Sequence, residues 1–269
     1  MKKIILPILL FAGALSASAF DVRITIENRA SQSPVGLYFG PVWLGFHDGT
    51  FDLFDPGTMA SPQIERLAEL GDSSLVNTWF AGVQPTGFST VLNDPSGPGP
   101  GLYAPGATSS VTVSLDPLQQ RYLSFGTMVV PSNDSFFANA SPTFAQLFDS
   151  LGNFSGSQSW TLTGANVWDA GSEVNEPLNG AAFVQGVDAM TGTSEGGLIH
   201  QQSLDGLDND IGLTNGAGQI VGRALTEEPF LRISVTAVPE PSTYGVIAMG
   251  VLLLGAAARR FRSAKPKAC

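Results

Sequence analysis

Two aspartates have the residue type and the local sequence to bind a cation. Asp134 follows an apolar segment that ends at Val130 and Pro131, and Asp169 opens the tripeptide Asp-Ala-Gly. Both carboxylates are therefore expected where a strand meets a loop, so that backbone carbonyl oxygens can join them. Calcium takes about six to eight oxygen ligands from carboxylates, carbonyls and water, and this pattern predicts a calcium site. The alternative is structural, with Asp134 capping a strand end as an Asx-turn and Asp169 as a turn residue.

A second group of acidic residues lies in a long glycine-rich stretch, residues 191–219. Asp205, Asp208 and Asp210 belong to the sequence Asp-Gly-Leu-Asp-Asn-Asp. This spacing is not that of an EF-hand loop, in which a glutamate occupies position 12. The pattern favours a solvated loop over a second metal site.

The residues that usually carry catalysis are scarce. His47 and His200 are the only histidines, and Cys269 is the only cysteine. No phosphate-binding loop is present, and His47 lies in an aromatic stretch where packing explains it. Two carboxylates can cleave glycosides, but so acidic a chain contains many accidental pairs. The sequence predicts a protein that is not an enzyme.

The charge of the central region narrows the class of partner. Residues 20–238 contain 22 acidic residues, six arginines and no lysine, for a net charge of about −16. Nucleic acid is excluded as a partner because phosphates require a basic surface. Cations are favoured, although acidity alone also keeps an exported protein soluble.

The N-terminus has the features of a secretory signal peptide. Lys2 and Lys3 precede an apolar run over residues 4–15, and small residues at 17–19 end in Ala19. Residues 1–19 are therefore predicted to be removed, so that Phe20 begins the exported chain.

The C-terminus carries three features in a fixed order. Val238-Pro239-Glu240-Pro241 is followed by an uncharged stretch, residues 244–258, and then by the basic residues Arg259, Arg260 and Arg262. This arrangement resembles the PEP-CTERM sorting signal of Gram-negative bacteria. The resemblance implies recognition by an exosortase, a short transmembrane helix that anchors residues 238–269 in the inner membrane before processing, and a surface destination often shared with exopolysaccharide. The alternative is a plain tail anchor.

Alternating apolar and polar residues between the two ends predict strands. This period of two recurs at residues 22–26, 111–115, 123–129 and 231–235, and Gly- and Pro-rich turns separate the runs. One helix is expected after Ser61 and Pro62, with Gly71 to end it. The sequence predicts one all-β domain over residues 20–237, an antiparallel sandwich whose strands are half-buried, with one short helix.

Four separated segments of this region resemble one known family. They are Phe-Gly-Pro-Val-Trp at 39–43 with His47, residues 59–71 with their Ala-Glu and Gly, the Pro-Ser-x-Asp-aromatic segment within 128–137, and the Asp-Ala-Gly segment within 168–173. In this order they are similar to the spondin N-terminal domain. The resemblance implies a C2-like antiparallel β-sandwich with a calcium site.

The same resemblance assigns ligands. Asp134 and Asp169 lie in the two most specific segments, and Glu173 is a weaker candidate. The family has a third ligand on the strand before the proline-serine segment, and Asp116 is the only acid near that place, so the resemblance implies Asp116. Animal members also carry disulfides and thrombospondin repeats, which this chain lacks, and their adhesion partners do not transfer.

The sequence thus predicts a calcium-binding, non-enzymatic adhesion or matrix module at the cell surface, whose loops contact polysaccharide, a protein or a membrane. The alternative is a calcium-dependent carbohydrate-binding or carbohydrate-active protein. That alternative requires a cleft lined by aromatic residues such as Trp43, Trp79 or Trp168 beside the carboxylate pair.

Overall fold

The computed structural model describes residues 19–30, 37–202, 209–222 and 227–239, which form two antiparallel sheets with helices on one of them. The strands of this part are β1 Phe20–Asn28, β2 Tyr38–Phe39, β3 Val42–His47, β4 Phe88–Leu92, β5 Thr108–Leu115, β6 Tyr122–Val130, β7 Ser135–Ala138, β8 Ala145–Gln146, β9 Gln158–Thr163, β10 Trp168–Asp169, β11 His200–Gln201 and β12 Pro229–Ala237. The helices are α1 Pro62–Leu70 and α2 Ser74–Val83. The predicted all-β sandwich is confirmed.

The first sheet has the strand order β5-β1-β12-β9, so β5 and β9 are its edges. Ile24 pairs with Val235 on one side and Val111 on the other. Ile24 and Val235 are fully buried, as are the residues two positions along β1. The period-two pattern therefore marks the face that packs on the core between the sheets.

The second sheet has the order β11-β10-β7-β6-β3-β4, with β2 and β8 also pairing with β6. The prediction that β6 is half-buried was wrong, because all of its residues after Tyr122 are buried. One face of β6 places Leu123 and Phe125 in the core between the sheets. The other face lies under α1, where a Cβ on Gly126 would stand 2.8 Å from Leu67 Cδ2.

The helices were predicted in part. Helix α1 begins and ends as expected: the Ser61 hydroxyl accepts a hydrogen bond from Ile64 N (3.4 Å), and Gly71 adopts a left-handed φ of 65°. Helix α2 was not predicted, so the expectation of a single helix was wrong. Its buried residues Val76 and Phe80 are four apart, but Ser73 makes no side-chain capping bond that would mark its start.

Candidate metal centre

The turn from β6 to β7 and the short strand β10 bring Asp134 and Asp169 together. Asp134 immediately precedes β7, and Asp169 of β10 pairs with Ser135 of β7. The Ala170 amide donates a hydrogen bond to the carbonyl oxygen of Asp134 (3.2 Å). Strand pairing thus places two carboxylates, 35 positions apart in the sequence, next to each other at one end of the second sheet.

Asp134 is fully buried and only half of its carboxylate is satisfied. Oδ2 accepts hydrogen bonds from the Ser172 amide (2.8 Å), the Ser172 hydroxyl (3.2 Å) and the Glu173 amide (3.1 Å). Oδ1 is buried and has no hydrogen-bond partner in the described part of the chain. Burial, and next the negative charge of Asp169, raise the pKa of Asp134 to about 7. A buried oxygen of this kind requires a proton or a cation to offset its desolvation.

Asp169 is held in one orientation by its own turn. Its Oδ1 accepts a hydrogen bond from the Gly171 amide (2.7 Å), and its Oδ2 accepts one from Asn175 Nδ2 (2.9 Å). The exposed His200 ring lies beside it, with Nδ1 4.0 Å from Oδ1. Asp169 is 1% exposed. Asp169 therefore makes the hydrogen bonds expected of a turn residue, which was the alternative to a calcium ligand. Its negative charge also raises the pKa of Asp134.

Asp116 does not join this pair. It lies in the turn before β6, where its Oδ1 accepts a hydrogen bond from the Leu118 amide (2.9 Å), whereas Asp134 follows β6. The nine residues of β6 span about 26 Å at about 3.3 Å per residue. The strand before the proline-serine segment contains no acid, so the structure does not bring Asp116 to the Asp134–Asp169 pair.

Two glutamates lie beside the pair instead. Glu173 is buried, and its carboxylate lies 3.4 Å from Asn133 Nδ2. Burial and then the charge of Glu69 raise the pKa of Glu173 to about 7. Burial also raises the pKa of Glu69, whose carboxylate is within hydrogen-bond reach of the Ser172 side chain.

Glu69 was not named as a site residue from the sequence. Its position on α1, a hundred positions before Asp169, hides it from any local pattern. One signal could have found it, because Glu69 is the glutamate of the Ala-Glu segment through which the helix resembles the spondin family.

The ligand atoms available at Asp134 and Asp169 determine which metal ion could bind there. Over the described ranges, no three His, Cys, Asp or Glu side chains are close enough together to hold a metal ion. An ion at the pair would therefore complete its shell with backbone carbonyls and water, which are hard oxygen ligands that suit calcium and not zinc. The unpartnered oxygen of Asp134 fits such an ion.

The second acidic stretch differs from expectation at its end. Asp205 and Asp208 lie outside the described residues, but Asp210 is 3% exposed. Burial raises the pKa of Asp210 to about 7, and its Oδ1 has no hydrogen-bond partner in the described part. The expectation of a solvated loop is wrong at Asp210.

The tryptophans considered for a cleft are not equivalent. Trp43 is fully buried and packs edge-on against Phe80, so it lines no cleft. Trp79 is half-buried against Phe51. Trp168 is half-buried and directly precedes Asp169.

Comparison with known proteins finds one match at the C-terminus. Residues 237–262 match the PEP-CTERM protein-sorting motif, which confirms the predicted signal. Comparison with curated proteins gives no match. The spondin resemblance stays a prediction.

The match and the fold together define a class of protein: an exported, surface-associated β-sandwich with a C-terminal signal that an exosortase recognises. The predicted membrane helix over residues 244–258 lies outside the described residues. Within the described ranges, no helix has the length and apolar character to cross a membrane.

Proposed function

We propose that this protein is a calcium-binding, non-enzymatic adhesion or matrix module displayed at the cell surface. One observation carries the proposal: Asp134 places an unpartnered carboxylate oxygen in a buried site beside the carboxylate of Asp169. Two neighbouring buried carboxylates repel each other unless a proton or a cation lies between them. An exported protein meets calcium outside the cytoplasm, so a cation is available there.

The residues that would hold the ion are Asp134 and Asp169, with carbonyl oxygens of the adjoining loops and water. Bound calcium would neutralise both charges and link the β6–β7 turn to β10. The hydrogen bonds from Ser172, Glu173 and Gly171 orient the two carboxylates before any ion arrives. Such preorganisation lowers the entropic cost of binding. The likeness of both aspartate segments to the spondin N-terminal domain supports the same assignment.

The burial of the pair argues against a carbohydrate-active enzyme. Asp134 is 0% exposed and Asp169 is 1% exposed. A glycosidase needs its two carboxylates on either side of a substrate bond, and a sealed pair does not meet that need. His47 is also fully buried, which keeps it from substrate.

The test is calcium-dependent thermal unfolding of the exported protein. At about a hundred times its dissociation constant, calcium adds about 2.7 kcal/mol of stability, which is about 5–10 °C in Tm for a domain of this size. Chelator should remove this shift. Calorimetric titration should show one strong calcium site that Asp134→Asn and Asp169→Asn each abolish.

Asp116→Asn is the matched control for this experiment. It removes the same charge from a turn at the far end of β6 and should leave calcium binding unchanged. Loss of calcium binding in Asp116→Asn alone, or equal Tm in calcium and chelator for the unmodified protein, would overturn the proposal.

A further inference from the structure

A groove of about 250 Å³ opens between the edge strand β9 of the first sheet and the side of the second sheet formed by β7, β10 and β11. We call it the aromatic groove. Its lining comes from both sheets and consists of aromatic, amide and small side chains, chiefly Phe144, Trp160, Trp168, Asn139, Asn166 and Gln201. Neither Asp134 nor Asp169 is part of its lining.

Besides the buried Phe125, three partly exposed aromatic rings border this one concavity. Phe144, in the loop between β7 and β8, is 45% exposed, and its ring centroid lies 6.0 Å from that of Trp160 with the planes tilted by 44°. Trp160 and Trp168 are half-buried. Aromatic faces carry a negative quadrupole, and they attract the polarised C–H bonds on the flat face of a sugar ring. Exposed apolar residues scattered singly need no explanation, but several around one depression indicate a ligand surface.

Side-chain donors and acceptors without a hydrogen-bond partner among the described residues lie between these rings. Asn166 accepts the Thr163 amide at Oδ1 (2.8 Å), while its Nδ2 donates to no described residue. Gln201 donates from Nε2 to the carbonyl of Ala165, which leaves its Oε1 without a partner in the same part of the chain. The indole N–H groups of Trp160 and Trp168 also donate no hydrogen bond within the described ranges. These groups match the hydroxyls that surround the ring of a sugar.

Asn139 differs from these groups because its amide is fully used. Its Oδ1 accepts the Phe125 amide, and its Nδ2 donates to Ser124 Oγ and to the carbonyl of Ser141. It forms the floor of the groove and is not a contact residue.

The charge of the groove and of the domain around it limits the class of ligand. The lining contains no charged side chain, and the region between the two terminal signals is strongly acidic without a single lysine. A polysaccharide rich in carboxylate, sulfate or phosphate would meet repulsion with nothing to neutralise it. The chemistry of the groove therefore suits a neutral glycan.

We propose that the aromatic groove binds a neutral polysaccharide at the cell surface. The groove is smaller than the pockets of about 300–1,000 Å³ that enclose drug-sized ligands. It therefore binds a short stretch of a polysaccharide chain, and the rest of that chain lies outside the groove. This inference rests on the proposed surface-adhesion role and names its partner, but it does not require the calcium pair.

Affinity electrophoresis of the exported protein tests the proposal, with soluble neutral glucan, mannan and galactan as probes and a polyuronate as the anionic probe. Neutral polymer should retard the protein and polyuronate should not. Phe144→Ala should weaken the retarding interaction about three- to tenfold, the effect of one aromatic contact. Asn166→Asp should weaken it too, because it keeps the oxygen that caps Thr163 while replacing the free Nδ2 donor by a charge.

Phe88→Ala is the matched control, since Phe88 is an aromatic residue 39% exposed on β4, the opposite edge of the second sheet. It should bind like the unmodified protein, and the Tm of each variant reports its folding. Retardation by polyuronate only, by none of the probes, or at the unmodified strength in both Phe144→Ala and Asn166→Asp would overturn the proposal. Chelator separates the two claims: equal Tm in calcium and in chelator, with glycan binding retained, would overturn only the calcium proposal.

Discussion

Burial acts on His47 and Asp134 in opposite directions. Desolvation disfavours the charged form of either group, so it lowers the pKa of His47 to about 4 and raises that of Asp134 to about 7. His47 is fully satisfied as a neutral ring: Nδ1 accepts the Gly49 amide (3.1 Å), so the proton is on Nε2, which lies 3.0 Å from Ser124 Oγ. Asp134 has no equivalent partner for Oδ1 among the described residues. Burial is therefore fully offset by hydrogen bonds at His47, but only in part at Asp134.

The titration of His47 predicts a loss of stability in acid. An unfolded histidine binds a proton below about pH 6.5, but folded His47 does so only near pH 4. Between these values the unfolded state holds more protons, so the contribution of His47 to the unfolding free energy is complete above pH 6.5 and falls as the pH drops, by up to about 3 kcal/mol.

Urea unfolding at constant calcium between pH 7.5 and 4.5 measures this contribution. His47→Gln should be less stable than the unmodified protein at pH 7.5, and the difference in the free energy of unfolding should shrink steadily towards pH 4.5. His200→Gln, which alters an exposed side chain, should keep the slope of the unmodified protein. A pH-independent difference for His47→Gln would contradict the assignment.

At the scale of elements, the sequence predicts those strands and helices whose formation depends on residues close together in the chain. The strands β1, β5 and β12 were predicted because their alternation reflects one buried face, and α1 was predicted because Ser61 and Gly71 mark its ends. Helix α2 carries Val, Thr, Trp and Phe, residues with lower helix propensity, and lacks a capping bond at its start. It is stabilised by Phe80, which packs against Trp43 and Phe51. Such a contact is invisible in the sequence around the helix.

The loop after β10 depends on glycine for two separate reasons. Gly171 has a φ of 64°, and a Cβ there would lie 2.8 Å from the backbone of Gly197 and Leu198. Gly171→Ala should therefore destabilise the fold by the cost of a left-handed alanine, about 1–2 kcal/mol, plus about 1–3 kcal/mol for the clash. It should also weaken calcium binding, because the Gly171 amide orients Asp169.

Gly196→Ala separates the two costs. Gly196 has a φ of 67°, and an added Cβ would meet nothing within 4 Å, so only the backbone cost applies. Urea unfolding should show the larger loss for Gly171→Ala, and calorimetry should show weakened calcium binding in that variant alone. Equal losses in both variants would mean that the loop yields to the extra methyl group.

At the scale of the whole molecule, the sandwich brings its two ends together. Phe20 starts β1 and packs against the rings of Phe148 (5.5 Å) and Phe154 (5.1 Å). Val22 of β1 pairs with Ala237 of β12, and the Val238 amide donates to the carbonyl of Asp21 (2.9 Å). The sorting motif thus follows β12, an interior strand of the first sheet, and begins beside the first residues of β1.

Sorting should depend on the motif and not on the acidity of the domain. In a host with the exosortase, Glu240→Ala should leave full-length precursor that immunoblotting of the cell envelope detects, because the glutamate is the charged residue of the Pro-Glu-Pro core. Glu195→Ala removes an equally negative, exposed side chain from the domain and should be processed normally. Normal processing of Glu240→Ala would contradict the role of the motif.

The sequence alone determined the sorting signal, the sandwich class and the acidic character of the domain. Each of these is a local or additive property: a linear motif, a period-two alternation and a sum of charges. Tertiary structure decided which carboxylates meet. It joined Asp134 to Asp169 and set Glu69 and Glu173 beside them, it kept Asp116 a strand's length away, and it buried Asp210. The distance between side chains on different strands is set by strand pairing and packing, and it cannot be predicted from their spacing along the chain.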